Sequence, residues 1–394
     1  MLALLVATGF GAALGLSFVS HAPNRLVSGA GVSLVQALGS APGVLTAALL
    51  LTAVWLAAAV FTRPTARSHV LVALASALLI AMLAAAAGTH AARLAAGSAP
   101  LARTALGAGF WALLLLCALA LGDALAAMRW PNWAQALAWA AAAAPLGAML
   151  AFGVLDDVSL VKEYTTRREV FGAALVRHLE IVAASLAATL LVGVPLGAAL
   201  HRHERLSRPV FAVLNVLQTV PSIALFGLLM APLAAVAAAL PLLARLGVSG
   251  VGLAPAVVAL TMYSLLPIVR SIDAGLRQVP AAALDAATGM GFTPRQRFWR
   301  VAVPIALPAL WAGLRVCTVQ AIGLAVVAAL IGAGGLGAIV FQGLLGSALD
   351  LVLLGVLPVV GLAVLADAAF SVVARLWVGT QPGALPGALQ DSQR

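Results

Sequence analysis

Pro280-Ala281-Ala282-Ala283-Leu284-Asp285-Ala286-Ala287-Thr288-Gly289-Met290-Gly291-Phe292-Thr293-Pro294-Arg295-Gln296-Arg297-Phe298-Trp299-Arg300-Val301-Ala302-Val303-Pro304 lies between two apolar runs, 251–270 and 304–330. Each run is long enough to cross a bilayer at ~20 residues per span. The stretch between them predicts two short helices. Pro280 is a favoured first-turn residue, so the first helix runs over Ala281–Ala287 and stops at the Gly289-Met290-Gly291 break. Thr293 opens the second as N-cap, with Pro294 at the first position and Gln296 at the third, a capping-box arrangement. On that helix Arg295, Gln296, Arg297 and Arg300 supply polar surface, while Phe298, Val301 and Ala302 supply an apolar stripe. A partner protein can grip such a surface, and the whole loop extends from about Ser271 to Val303.

Outward from this loop the chain is almost entirely apolar. Of 394 residues 63% are hydrophobic and 9% charged, where a soluble domain carries roughly a quarter charged, and mean hydropathy is +1.11. A water-soluble fold is excluded. The predicted class is an all-α integral membrane protein with about ten transmembrane helices, near 1–20, 42–62, 69–88, 107–127, 133–153, 176–200, 209–231, 251–270, 304–330 and 350–376. Met1 to Ser20 lacks a basic leader and a convincing cleavage site, so it is taken as a retained first span. The net charge of +10 does not point to nucleic acid, because the basic residues, all Arg except Lys162, are dispersed among short loops. Cys117 and Cys317 fall inside apolar runs, where they are packing residues.

The most polar stretch, Asp156 to Glu169, divides the spans into two sets of five and predicts a boundary. Leu233–Leu246 is apolar too, but 14 residues rise only ~21 Å against ~30 Å of hydrocarbon, and Pro241 interrupts them. It is expected to be re-entrant or interfacial. That choice keeps the basic loop at His201-Arg202-His203-Glu204-Arg205 on the same side as 270–300. With both termini inside, 13 Arg face the cytoplasm and 8 basic residues face outward. Trp130, Trp133 and Trp377 fall at predicted span ends, as an aromatic belt would.

Asp285-Ala286-Ala287, then Gly291 four residues after the last Ala, then Val301-Ala302-Val303-Pro304, resembles the EAA loop of ABC importer permeases: Glu-Ala-Ala, three residues, Gly, nine residues, Ile-x-Leu-Pro. Asp stands for Glu, and Val for both Ile and Leu. The resemblance implies that Asp285, Ala286, Ala287, Gly291, Arg295, Arg297 and Pro304 form a coupling loop that inserts into a groove of a separate ATPase subunit. No Gly-x-x-x-x-Gly-Lys-Ser/Thr occurs, and the sole lysine is Lys162, so ATP-Mg must be bound by that partner and no cofactor is expected in this chain. Asn215–Ser222, Tyr263–Arg270 and Ala329–Gly337 further resemble the osmoprotectant branch, which imports glycine betaine, choline, carnitine and related quaternary amines. Residues 176–376 match its five-span permease core, preceded here by a five-span N-terminal extension, 1–155. The extension, with Ala22–Gly29 and Leu101–Thr104, is similar to that of the long Yeh-type permeases of Gram-negative bacteria. The implied organisation is a periplasmic linker at 156–175, a cytoplasmic coupling loop at 271–303 and a cytoplasmic tail at 377–394. The implied setting is the bacterial inner membrane, in a complex of two permeases (a second copy or a homologue), paired ATPases and a periplasmic substrate-binding protein.

Polar residues in the core spans supply the other candidates. Asn215, Gln218, Thr219 and Ser222 stand at i, i+3, i+4 and i+7, on one face of one helix. They either hydrogen-bond within the bundle or line a translocation path, with Pro221 leaving a carbonyl free as an acceptor. Arg315 is about 16 Å into the membrane, where a charge needs a partner. Asp273, Asp367 or helix C-terminal carbonyls can serve; if Arg315 lines the path instead, it meets a substrate carboxylate. Tyr263 and Gln320 join it as path candidates. Gly332, Gly334, Gly335 and Gly337 predict a flexible external turn, either a plain connector or a periplasmic gate hinge that also contacts the binding protein. Two rival functions fit the sequence less well. An ion- or proton-coupled secondary transporter of small zwitterions would show repeats and a membrane carboxylate, and an intramembrane enzyme a deep Ser/His or His/Glu cluster.

Overall fold

The computed structural model describes residues 11, 15–24, 27, 29–39, 47, 51–52, 55, 65–99, 101–128, 130–245 and 247–379. It divides into two compact units, Met1–Arg167 and Arg168–Arg394. The helical class holds. Among the described residues, eight helices are long and apolar enough to cross a membrane. Most of the spans expected at 1–20 and 42–62 lies outside the described residues.

The first unit adds a small sheet to its helices. Strand β1 (Val19–Ala22) pairs antiparallel with β2 (Ala30–Val32) on one side and β3 (Arg103–Leu106) on the other. This corrects the expected first span at its C-terminal end. Phe18, Val19 and His21, two of them fully buried, sit in a run that Pro23 ends, and backbone pairing satisfies the chain there better than one last helical turn. His21 ties the sheet together, its ring nitrogens lying 3.0 Å from Thr104 Oγ1 and 3.1 Å from Ser98 Oγ. The close approach explains Gly107, where a Cβ would stand 2.2 Å from the Ser17 carbonyl oxygen. A short helix α1 (Leu34–Gly39) precedes the long α2 (Ala66–Ala96). Thr65 and Ser68 form a capping box at the start of α2. Small residues along it, among them Ala73, Ala75 and Ala87, share a buried core with Leu113, Cys117 and Leu121 of α3 (Ala108–Ala127), the close packing that membrane helices require. Cys117 is buried in that seam. Then come α4 (Asn132–Ala151) and α5 (Ser159–Thr166). The polar stretch 156–169 is thus largely helical, with Lys162 paired to Asp157 at 2.8 Å and Arg167 to the buried Glu163 at 3.4 Å. Trp130 and Trp133 are exposed at the head of α4, while the side chain of Trp377 lies outside the described residues.

The second unit opens with α6 (Arg168–Arg202), whose 35 residues rise about 52 Å. It packs along α10 (Leu253–Arg277) through glycines: a Cβ at Gly193 would meet Ile268, and one at Gly197 would meet Ile272. Helix α10 in turn receives α13 (Val303–Leu324), with Gly313 against Ser271 and Gly275 against Ala306 and Ala309. Cys317 is buried on this contact.

Between α6 and α10 the expected single span 209–231 is two helices, α7 (Glu204–Thr219) and α8 (Ser222–Ala239). Pro221 has no N–H to continue the ladder, and the half before it carries Glu204, Arg205, Arg208, Asn215 and Gln218. The crossing is therefore α8. Residues 233–239, expected to be re-entrant, belong to it, and only α9 (Pro241–Arg245) remains of that apolar tail. One crossing by α8 and one back by α10 still leave 201–205 and the segment after 277 on the same side. The unit closes with α14 (Leu336–Leu345) and α15 (Leu349–Gly379).

Candidate functional site

The loop after α10 has the local structure its residues dictate. Helix α11 (Ala281–Gly289) ends at Met290, and Gly291 follows at φ +81°, a conformation that costs an L side chain energy. The Gly291 N–H donates to the Thr288 carbonyl at 2.9 Å, and the Phe292 N–H to that of Ala287 at 3.0 Å, the paired bonds of a Schellman cap. The glycine of the motif thus has a backbone cause. Thr293 then caps α12 (Pro294–Arg297): its Oγ1 accepts from the Gln296 N–H, and Gln296 Oε1 accepts from the Thr293 N–H. No break separates α12 from the span at 304–330. A π turn, Phe298–Ala302, carries α12 straight into α13, absorbing the N–H that Pro304 lacks. Residues 294–324 are one continuous rod.

Within this loop Asp285, Ala286, Gly291 and Arg295 are exposed, as is Met290, at 67%. Ala287 is buried and faces the bundle. Arg297 is a brace, donating from Nη1 to Thr288 Oγ1 at 3.0 Å and joining α12 to α11. Leu284 and Phe298 pack on Leu276, Val279 and Ala302, anchoring the pair of helices to α10 and α13. The outward face is thus small, carries one carboxylate, and is rigidly tied to two membrane helices.

The proposed polar stripe is divided by the helix break: Ser222 begins α8, while Asn215, Gln218 and Thr219 end α7. Asn215 Oδ1 accepts from Arg270 at 2.8 Å, and Thr219 Oγ1 donates to its own helix at Val216. Gln218 Nε2 donates to the Tyr263 carbonyl. That carbonyl is free because its helical donor would be residue 267, a proline. The carbonyl that Pro221 leaves without its helical donor is that of Leu217, and it accepts from the Val220 N–H at 3.3 Å, while the Tyr263 hydroxyl donates to the Val220 carbonyl at the break. Sequence reading missed Arg270 as the partner of Asn215; Pro267, four residues after Tyr263, was the signal for Gln218.

Arg315 is paired with Asp367, Nε to Oδ1 at 2.6 Å and Nη2 to Oδ2 at 2.7 Å, joining α13 to α15. Asp273, the other candidate, is held instead by Arg277 at 3.0 Å. Gln320 lies half-buried on α13.

The glycine turn is pinned rather than loose. Gly332, Gly334 and Gly335 have φ of 80°, 81° and 77°. Arg177 Nε donates to the Ala333 carbonyl at 3.1 Å, and the Gly252 N–H to that of Ile331 at 2.7 Å. The fully buried His178 donates from Nε2 to Ile322 and packs under Gly335. Gly337 is not in the turn but inside α14, where a Cβ would run into the Val326 carbonyl oxygen. Neither Arg177 nor His178 was singled out in the sequence, since their partners are backbone carbonyls about 150 residues away.

Two family models match the chain. Residues 1–161 match the N-terminal domain of the ABC transporter permease YehY, and 189–378 match the inner membrane component of binding-protein-dependent transport systems. The osmoprotectant import permease protein OsmW of Salmonella typhimurium is 40% identical over 191 residues, 48% of this chain and 84% of that protein. The choline transport system permease protein OpuBB of Bacillus subtilis is 36% identical over 207 residues, 52% of this chain and 88% of that one. Among solved structures, the MetNI methionine ABC transporter in an inward-facing conformation has a chain 24% identical, with a TM-score of 0.48, covering 54% of this chain and 98% of that one.

Proposed function

The chain belongs to the permeases of osmoprotectant ABC importers, and on that premise we propose that it carries a quaternary amine such as glycine betaine across the inner membrane, driven by ATP hydrolysis on a partner subunit. The observation that carries this reading is the exposed face Asp285, Ala286, Met290 and Gly291, presented by two capped helices whose second member runs unbroken into α13. A push on that face has no flexible joint in which to dissipate before it reaches the membrane. Two ATPase subunits would seat two such loops, one from each permease of a pair, and a periplasmic binding protein would deliver substrate above the turn 332–335. Both termini lie in the cytoplasm in this arrangement, and 1–155 is an extension outside the permease core of 176–376.

Reversing the one carboxylate on the face tests the reading. Asp285→Lys is exposed and changes no described hydrogen bond, so the permease should still insert and fold. ATPase co-purified with it should fall at least several-fold and uptake should stop. Wild-type ATPase recovery with this variant would remove the coupling role.

A further inference from the structure

At the end of the second unit that carries the coupling loop, α6, α10 and α13 line a half-open cavity of about 1120 Å³. Ligand pockets usually run ~300–1,000 Å³, so it has room for a large guest. Its walls are apolar: Val194 and Ala198 of α6, Ile272 and Leu276 of α10, Val303 and Leu307 of α13. Its mouth is basic. Arg202, Arg295 and Arg297 line it with His201 and His203, and among the described residues no Asp or Glu does. On the adjoining helices Asp273 is held by Arg277 and lies 3.5 Å from His201 of the mouth, and Glu204 is paired with Arg277. Arg202 has its guanidinium carbon 4.8 Å from the centre of the Phe298 ring, and among the described residues neither it nor Arg295 forms an ion pair. Arg297 spends one of its five donors on Thr288. Trp299, 60% exposed, stands at the same rim.

We propose that this cavity binds an anionic phospholipid, an acyl chain along the apolar walls and the phosphate between Arg202 and the Arg295–Arg297 pair. The assignment to the cytoplasmic leaflet rests on the coupling reading above. A soluble anion would satisfy the mouth but leave the apolar walls facing water, and an apolar segment of protein would leave the guanidinium groups without counter-charge. A lipid satisfies both, and the indole at the rim is where membrane interfaces place tryptophan. Because Leu284 and Phe298 also line the cavity, the bound lipid braces the coupling helices against the bundle.

The full-length permease, purified in detergent with its ATPase, is titrated with phosphatidylglycerol or phosphatidylcholine brominated on the acyl chains, which quench nearby tryptophan. Phosphatidylglycerol should quench in a saturable way, at lower concentration than phosphatidylcholine, and Trp299→Phe should remove that difference. Arg202→Gln should weaken the phosphatidylglycerol titration about fivefold, the effect of one interfacial arginine, while Arg202→Lys retains it. Millimolar inorganic phosphate should not compete. Equal titration by the two lipids, an Arg202→Gln titration like wild type, or displacement by phosphate would overturn the proposal. The titration can be repeated on the permease without ATPase, so its failure is separable from failure of ATPase co-purification, which bears on the coupling reading alone.

Discussion

Arg315 and Asp367 meet through two parallel bonds of 2.6 and 2.7 Å, and their side chains are 42% and 44% exposed in the single chain. Neither charge belongs alone at that depth, where an arginine or aspartate costs about 3 kcal/mol. Joined in a fork they present a neutral unit. Arg315→Gln or Asp367→Asn alone strands the other charge and is expected to lower stability by about 2 kcal/mol, after allowance for the exposure. The double variant should recover most of it. Fluorescence-detected size exclusion after a temperature ramp would compare the three, and a double variant worse than both singles would show that the pair does more than cancel charge. Depth along the helix made the need for a partner legible at Arg315. The choice between Asp273 and Asp367 was not, because it depends on how α13, α10 and α15 rotate about their axes.

At the scale of elements, the join between α7 and α8 is held by an exchange of orphans. Pro267 deprives the Tyr263 carbonyl of its donor, Gln218 supplies one, and the Tyr263 hydroxyl in turn takes the Val220 carbonyl at the break. Gln218→Leu is therefore expected to leave a polar group unpaired in a water-poor place, a loss of about 1–2 kcal/mol. Tyr263→Phe should cost a similar amount, and the two losses should not add, since they serve one junction. Thermal denaturation of the singles and the double would measure this, and strict additivity would contradict it. If the break also lines the path, uptake by Tyr263→Phe falls further than its loss of folded protein accounts for. Reading 209–231 as one apolar run joined the two helices, and the i, i+3, i+4, i+7 spacing of the stripe at 215–222 is blind to a proline within it. The two helices of 281–297, by contrast, were legible in detail, since a capping box and a C-terminal glycine are satisfied within a few residues of themselves.

Across the whole molecule, each unit has its own core. A chain beginning at Arg168 behind a suitable leading signal should insert and recover ATPase at close to the full-length level. A stable truncation that recovers none would place part of the ATPase contact, or its support, before residue 168. The helical membrane class followed from composition. The three-stranded sheet did not, because its third strand pairs Leu106 with Val19 only after α1 and α2 have intervened in the sequence.

The same ion pair sets an order of events in biosynthesis. Arg315 leaves the ribosome 52 residues ahead of Asp367. At ~5–20 residues per second that is an interval of roughly 3–10 s in which α13 has no counter-charge to take into the lipid. Helix α13 therefore has reason to linger at the insertion machinery until α15 emerges, and the two are best released as a hairpin. The last quarter of the protein then enters the bilayer as a pair that has already cancelled its charge.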